Sequence, residues 1–156
     1  QYGARVGALI ALHEDDKVRA RIANAMGFTC RGTWSNCNHM GMLAITDVLH
    51  DEDLRAEWDA DRARLVELLD ARVVEFNKLA EKHNLHYPRY EGGFFVAVFS
   101  DDPKVTIKYM QDRGVFIVPL QGAVRVGLCA TPKSKIPRLV EVLAAGVEAA
   151  RKTVAS

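Results

Sequence analysis

The chain has 156 residues, 49% hydrophobic and 26% charged, with 21 basic against 20 acidic side chains and a formal net charge of +1. That length suffices for one domain with a core, or for a small domain and part of another, and the composition is that of an ordinary soluble protein. The near-neutral balance gives no reason to expect nucleic acid or an anionic membrane as partner, and no apolar run reaches the roughly 18 to 20 residues of a spanning helix.

Cys30, Cys37 and Cys129 form an odd set without framework spacing. This suits a reducing compartment, so the cytoplasm is the expected location. The spacing of Cys30, Cys37 and His39 matches no common zinc knuckle, and no metal site is expected.

The chain opens QYGARVGALIAL. Val6 to Leu12 is apolar almost throughout and predicts a strand that needs neighbours on both sides. With no upstream sequence to supply them, it is expected to be a strand cut from a larger domain. Such an edge is expected to associate with another chain, or to leave residues up to about Leu49 poorly ordered. His13 to Ala25 predicts a helix ending near Gly27, with Val18, Ile22 and Ala25 on one side. CRGTWSNCNHMGM then reads as a loop, and Met42 to Leu49 as a short apolar helix.

From Asp51 to His83 the pattern is helical, with Leu54, Trp58, Leu65, Leu69, Val73, Phe76 and Ala80 on one stripe. Asp51, Glu52 and Asp53 sit at its positive end and Lys82 and His83 at its negative end, as the helix dipole favours. A helix of that length spans roughly 45 Å, longer than a small domain is wide, and usually bridges two bodies.

Past Pro88, Gly92-Gly93 leads into the strand FFVAVF. Asp101 to Arg113 follows as a helix, opened by Asp102 and Pro103 and closed by Gly114. Strands at Val115 to Val118 and Ala123 to Cys129 precede an amphipathic terminal helix, Ile136 to Thr153. The order strand, helix, strand, strand, helix predicts an α/β (α+β) small domain, a short sheet with helices on one face.

Three places combine polar side chains with glycine beyond what packing requires. Arg5 sits in GARVGA, where small neighbours let an anion approach. Arg31 and Ser35 share RGTWSN, a fork donor and a hydroxyl within five residues. Arg125 lies inside AVRVGLC, where a charge flanked by apolar residues is costly without a partner. Gly92 to Phe95, with glycine but no polar side chain, reads as a strand start after a turn more readily than as a ligand contact. Plainer alternatives stay open for the rest: a surface arginine at a strand end for Arg5, solvated loop residues for Arg31 and Ser35, and an outward-pointing residue of an edge strand for Arg125. Three arginines amid glycine and apolar residues suggest a ligand with several anionic groups.

YGARVGALIAL, CRGTWSNCNHMGM, YEGGFFVAVF and AVRVGLCATP, in this order and spacing, resemble class I aminotransferases of fold type I. These are pyridoxal phosphate enzymes that include the aspartate and aromatic amino acid aminotransferases. The resemblance runs over essentially the whole chain and covers only the C-terminal portion of the family. It implies that residues 1–50 are a remnant of the large cofactor-binding domain, and that residues 51–156 are the small domain with its inter-domain helix.

By position, the resemblance makes Arg5 the arginine that binds the cofactor phosphate, with Tyr2 in the same turn. Ser35 becomes the residue that reaches the phosphate of the neighbouring subunit's cofactor in a homodimer. Arg125 becomes the clamp on the substrate α-carboxylate, Arg31 the grip, across the dimer interface, on the distal carboxylate of dicarboxylic substrates, and Phe94 an aromatic of the substrate pocket. The family's Schiff-base lysine falls about three residues before Gln1 by that alignment. The 156-residue chain is therefore expected to be inactive alone, as part of a transaminase acting on amino acids and 2-oxo acids. Two departures, a longer VPLQGAV loop and Cys37-Asn38 in place of two prolines, leave an aromatic or broad substrate range at least as well supported as strict aspartate specificity. The alternatives are a non-catalytic carboxylate-binding module using Arg125, or a protein-interaction module using the long helix.

Overall fold

The structure, a computed structural model, describes residues 2–154, which fall into two compact units, Gln1–Ala60 and Asp61–Ser156. Each is taken by itself.

In the first unit the expected strand at Val6 to Leu12 does not form. Tyr2–Ala4 is a short 3-10 turn, and residues 5–15 carry neither helix nor strand. The reason is the one that makes strands cooperative: a strand is held by ladder hydrogen bonds to a neighbour, and no strand lies among the described residues of this unit. Leu9 and Leu12 accordingly stand 78% and 90% exposed.

Helix α1, Asp16–Thr33, starts at Asp15, whose side chain accepts from Lys17 N at 2.7 Å. It passes Gly27 and turns Cys30 to Thr33 helical, where the sequence predicts loop. A single glycine weakens a helix by about 1 kcal/mol and does not end it when the residues beyond continue the ladder. Thr29 and Thr33 Oγ1 donate to the carbonyls of Ala25 and Thr29 at 2.9 and 2.7 Å, so these hydroxyls are satisfied inside the helix. Helix α2, His39–His50, begins three residues before the expected Met42, because Asn38 caps it by accepting from Gly41 N at 3.0 Å.

Helix α3, Glu52–Lys82, matches its expected bounds closely and carries Asp51 as its cap, accepting from Leu54 N at 3.0 Å. Its apolar stripe is buried only in the later half. Val73, Phe76 and Ala80 are buried, whereas Leu54, Trp58 and Leu65 are exposed.

The second unit holds the sheet. Strands β1 (Phe95–Phe99), β2 (Val118–Leu120) and β3 (Ala123–Gly127) are antiparallel in the order β1-β3-β2, with Ala97 and Val118 both opposite Arg125. β2 starts at the residue where the sequence reading ends it, and Leu128 and Cys129, expected as strand, close with Ala130 into a 3-10 turn. Helix α4, Pro103–Gln111, is capped by Asp102, which accepts from Lys104 N and Val105 N at 2.8 and 3.2 Å; α5, Ile136–Val154, ends the fold.

Alternation along the strands sends Val96, Val98, Val124 and Val126 into one core with Phe76 of α3, Met110 of α4 and Ile136, Val140 and Leu143 of α5. Phe76, fully buried, makes edge-to-face contacts with Tyr87 and Tyr90 at 5.5 and 6.3 Å between centroids. α5 approaches α4 at Gly146, where a Cβ would lie 3.1 Å from the Thr106 carbonyl oxygen. The helices thus cover one face of the sheet. The other face shows Phe95, Phe99, Val118, Leu120 and Arg125 to solvent.

Candidate functional site

Two places, one in each unit, gather the residues singled out by sequence. In the first unit Asn38 does two jobs: Oδ1 caps α2, and Nδ2 donates to the Ala4 carbonyl at 3.0 Å. The chain is thereby fixed immediately before Arg5. On the other side Val6 lies against Gly41, where even one added carbon would come within 2.4 Å of Val6 Cγ2. Held at both neighbours, Arg5 adopts φ of +53°, a left-handed conformation unusual for a residue with a Cβ. It lines a cavity of about 400 Å³ with Gly7, Trp34, Asn36, Cys37 and Met42. Neither aspartate nor glutamate is among the described residues that line it.

Arg31 and Ser35 meet each other. Arg31 Nη1 donates to Ser35 Oγ at 2.8 Å and to the Ser35 carbonyl at 3.3 Å, both on an exposed surface. Ser35 too is left-handed, φ +70°. Its neighbours Trp34 and Asn36 line the Arg5 cavity while Ser35 and Arg31 do not. The Cys30 and Cys37 sulfurs flank this turn at 3.8 Å, and their hydrogen bond, with the charge of Cys30 second, pushes the Cys37 thiol up from its ordinary value. The assignment of Tyr2 concerns a side chain outside the described residues.

In the second unit Arg125 sits in the middle strand, which removes the edge-strand alternative, yet alternation still points it away from the core. Its guanidinium carbon stacks 4.7 Å above the centre of the Phe95 ring. The two share a cavity of about 560 Å³ with Thr131, Lys135 and Arg138, and no carboxylate is among its described lining residues. Arg138 Nη2 donates to the Arg113 carbonyl at 2.9 Å, and Thr131 Oγ1 to that of Gly127 at 2.9 Å.

Phe94 is exposed and meets Phe95 edge-on at 6.5 Å, and its carbonyl accepts from Leu128 N at 3.0 Å. The aromatic that accompanies Arg125 is thus Phe95. Period-two alternation from Arg125 through its cross-strand partner Ala97 would have found it. Lys135 and Arg138, from the turn before α5 and its first turn, carry no sequence signal of their own.

A guanidinium on an open sheet face and another at a strained turn each stand beside a cavity with neither aspartate nor glutamate among its described lining residues. The family model described as aminotransferase class I and II matches residues 1–143, and the chain belongs to that family. It is 30% identical over 98 residues to a tyrosine aminotransferase of Klebsiella pneumoniae, spanning 60% of this chain and 25% of the relative. An aromatic-amino-acid aminotransferase of Paracoccus denitrificans is 25% identical over 146 residues, which are 91% of this chain and 36% of that protein. Among solved structures, an aminotransferase from Anaerococcus prevotii superposes with a TM-score of 0.85 at 24% identity, over 94% of this chain and 36% of its own. The chain spans between a quarter and about a third of the length of these relatives.

Proposed function

We propose that this chain supplies the phosphate-binding and carboxylate-binding parts of a pyridoxal-phosphate-dependent transaminase that moves an amino group between an aromatic or dicarboxylic amino acid and a 2-oxo acid. The observation that carries this reading is Arg125, held in a middle strand over Phe95 and facing a cavity with no carboxylate among its described lining residues. A guanidinium so placed offers a flat, two-pronged donor to a carboxylate, and Phe95 beneath it limits the directions from which that carboxylate can come.

The Arg5 cavity fits the cofactor's phosphate by the chemistry of its donors: a guanidinium, the carboxamide of Asn36 and the small Gly7, without an opposing carboxylate among the described lining residues. When bound, pyridoxal phosphate supplies an electron sink for charge developing at the amino acid's α-carbon. Arg5 would hold its phosphate, and Ser35, once its hydroxyl turns from Arg31, would reach the phosphate of the cofactor in the neighbouring subunit. Arg31 so released is the cation for a distal carboxylate, and Phe94 a wall of the pocket. None of the residues given a role here is placed to move the α-proton, so binding and orientation are the parts proposed for them. A homodimer working in the cytoplasm belongs to the same proposal and rests on membership of the family; no described helix is long and apolar enough to cross a membrane.

The test is transamination by the polypeptide as its native gene expresses it, with saturating cofactor and with tyrosine and aspartate as donors. Arg125→Ala is expected to lower kcat/KM about 10- to 100-fold, the loss of a charge-assisted pair. The 156-residue chain with added cofactor is expected to show no turnover above free cofactor. An unchanged kcat/KM in Arg125→Ala, or turnover by the short chain, would overturn the reading. Carboxylate binding by a native product without transamination would put the non-catalytic module in its place.

A further inference from the structure

The sulfurs of Cys30 and Cys37 lie 3.8 Å apart across the turn that carries Arg31 and Ser35. Cys30 is in the last turn of α1, half-exposed, and Cys37 is exposed one residue before the cap of α2. A disulfide needs its sulfurs at about 2.05 Å, so the pair stands in contact and must close further to bond. The residues that must yield, Arg31 to Asn36, are all exposed, so no core resists the closure.

We propose that Cys30 and Cys37 are a reversible oxidation site, a dithiol that exchanges with low-molecular-weight disulfides of the glutathione class and, once bonded, ties the end of α1 to the start of α2 around Arg31 and Ser35. One thiolate of the pair attacks a sulfur of the small disulfide, forming a mixed disulfide and expelling one small thiolate. The second protein thiolate attacks the protein sulfur of that mixed disulfide, expelling the other. The protein pair loses two electrons and two protons, and the small disulfide becomes two thiols. Because the closed ring holds only eight residues, the intramolecular step outcompetes accumulation of the mixed adduct. That the ring encloses two residues given roles above rests on the proposed function; the bond itself does not.

The experiment treats the whole 156-residue chain with oxidised glutathione and maps it with trypsin under non-reducing conditions. Trypsin cuts after Arg31, between the two cysteines, so oxidised chain is expected to release Ile22–Arg31 and Gly32–Arg55 as one linked peptide that separates on reduction. Cys129→Ser is expected to give the same peptide; Cys30→Ser and Cys37→Ser are expected to give none and to retain a glutathione adduct on the remaining thiol. Amide exchange at Trp34 to Asn36 is expected to slow in oxidised wild type only. Failure to form the linked peptide, a stable adduct on wild type, or a bond that involves Cys129 would each overturn the proposal. None of these results depends on transaminase activity.

Discussion

The two units differ in how far they complete their own packing. Residues 61–154 bury Phe76, Met110, Leu128, Ile136 and Leu143 completely around the valines of β1 and β3. Among the described residues of 2–60, only Gly41 is buried, and Leu9, Ile10, Phe28, Trp34 and Met40 are exposed. Both obey the same local rules, since Asp15, Asn38 and Asp102 cap their helices in the same way. Caps and turns arise from near neighbours in the chain, whereas a core needs a second apolar layer, which the described residues of the first unit do not supply. Arg5 and Arg125 inherit this difference, one positioned by a strained turn and the other by a sheet with a full core beneath it.

Substitutions sharpen the contrast. The largest effect is expected for Phe76→Ala, which removes the ring that α3 packs beneath Tyr87 and Tyr90 and should cost about 3 to 5 kcal/mol in urea unfolding. Leu12→Ala, at an apolar residue of the first unit, should change stability by less than about 0.5 kcal/mol. A comparable loss at Leu12 would mean that it packs against a partner in solution. Gly146→Ala should cost about 1 to 3 kcal/mol, because its Cβ meets a backbone carbonyl at 3.1 Å that has little room to retreat.

Caps give a smaller effect and a direct comparison. Asp102→Ala should lower the stability of the second unit by about 1 kcal/mol, the usual value of such a cap. Asn38→Ala should instead show locally, as faster amide exchange at Gly41 and in the turn before Arg5, because Asn38 holds both. The smallest effect is in alkali. Burial, followed by the nearby charge of Glu81 for Tyr87 and of Cys129 for Tyr90, holds both phenols above their ordinary value of 10. Their stabilisation is complete below the unfolded pKa and is lost as pH rises through the folded one. Urea midpoints should therefore fall from pH 10 upward, and less so in Tyr87→Phe.

Most of the second unit was legible in the sequence because its signals are local and its partners lie close in the chain. Asp102-Pro103 opens a helix, Gly114 closes the turn after it, and alternation in FVAVF and AVRVG sets which face is buried. The opening stretch misled because an apolar run states that burial is needed without stating who supplies it. Likewise the Cys30 to Thr33 segment reads as loop by composition, but the backbone ladder of α1 runs on to Thr33 and the threonine hydroxyls are satisfied by carbonyls four residues back. Glycine and charge in apolar surroundings single out Arg5, Arg31, Ser35 and Arg125 as candidates. Phe95, the first residue of β1, carries no such signal, because only the register of β1 against β3 decides which aromatic meets Arg125.

The most direct measurement of the carboxylate clamp is a heteronuclear NMR titration of the 156-residue chain with a dicarboxylic 2-oxo acid, following the Arg125 guanidinium and the backbone amides. Shifts centred on Arg125, Phe95 and Thr131, absent in Arg125→Ala, are the expected result. No shift at Arg125, or the same shifts in Arg125→Ala, would contradict the assignment of this residue to substrate.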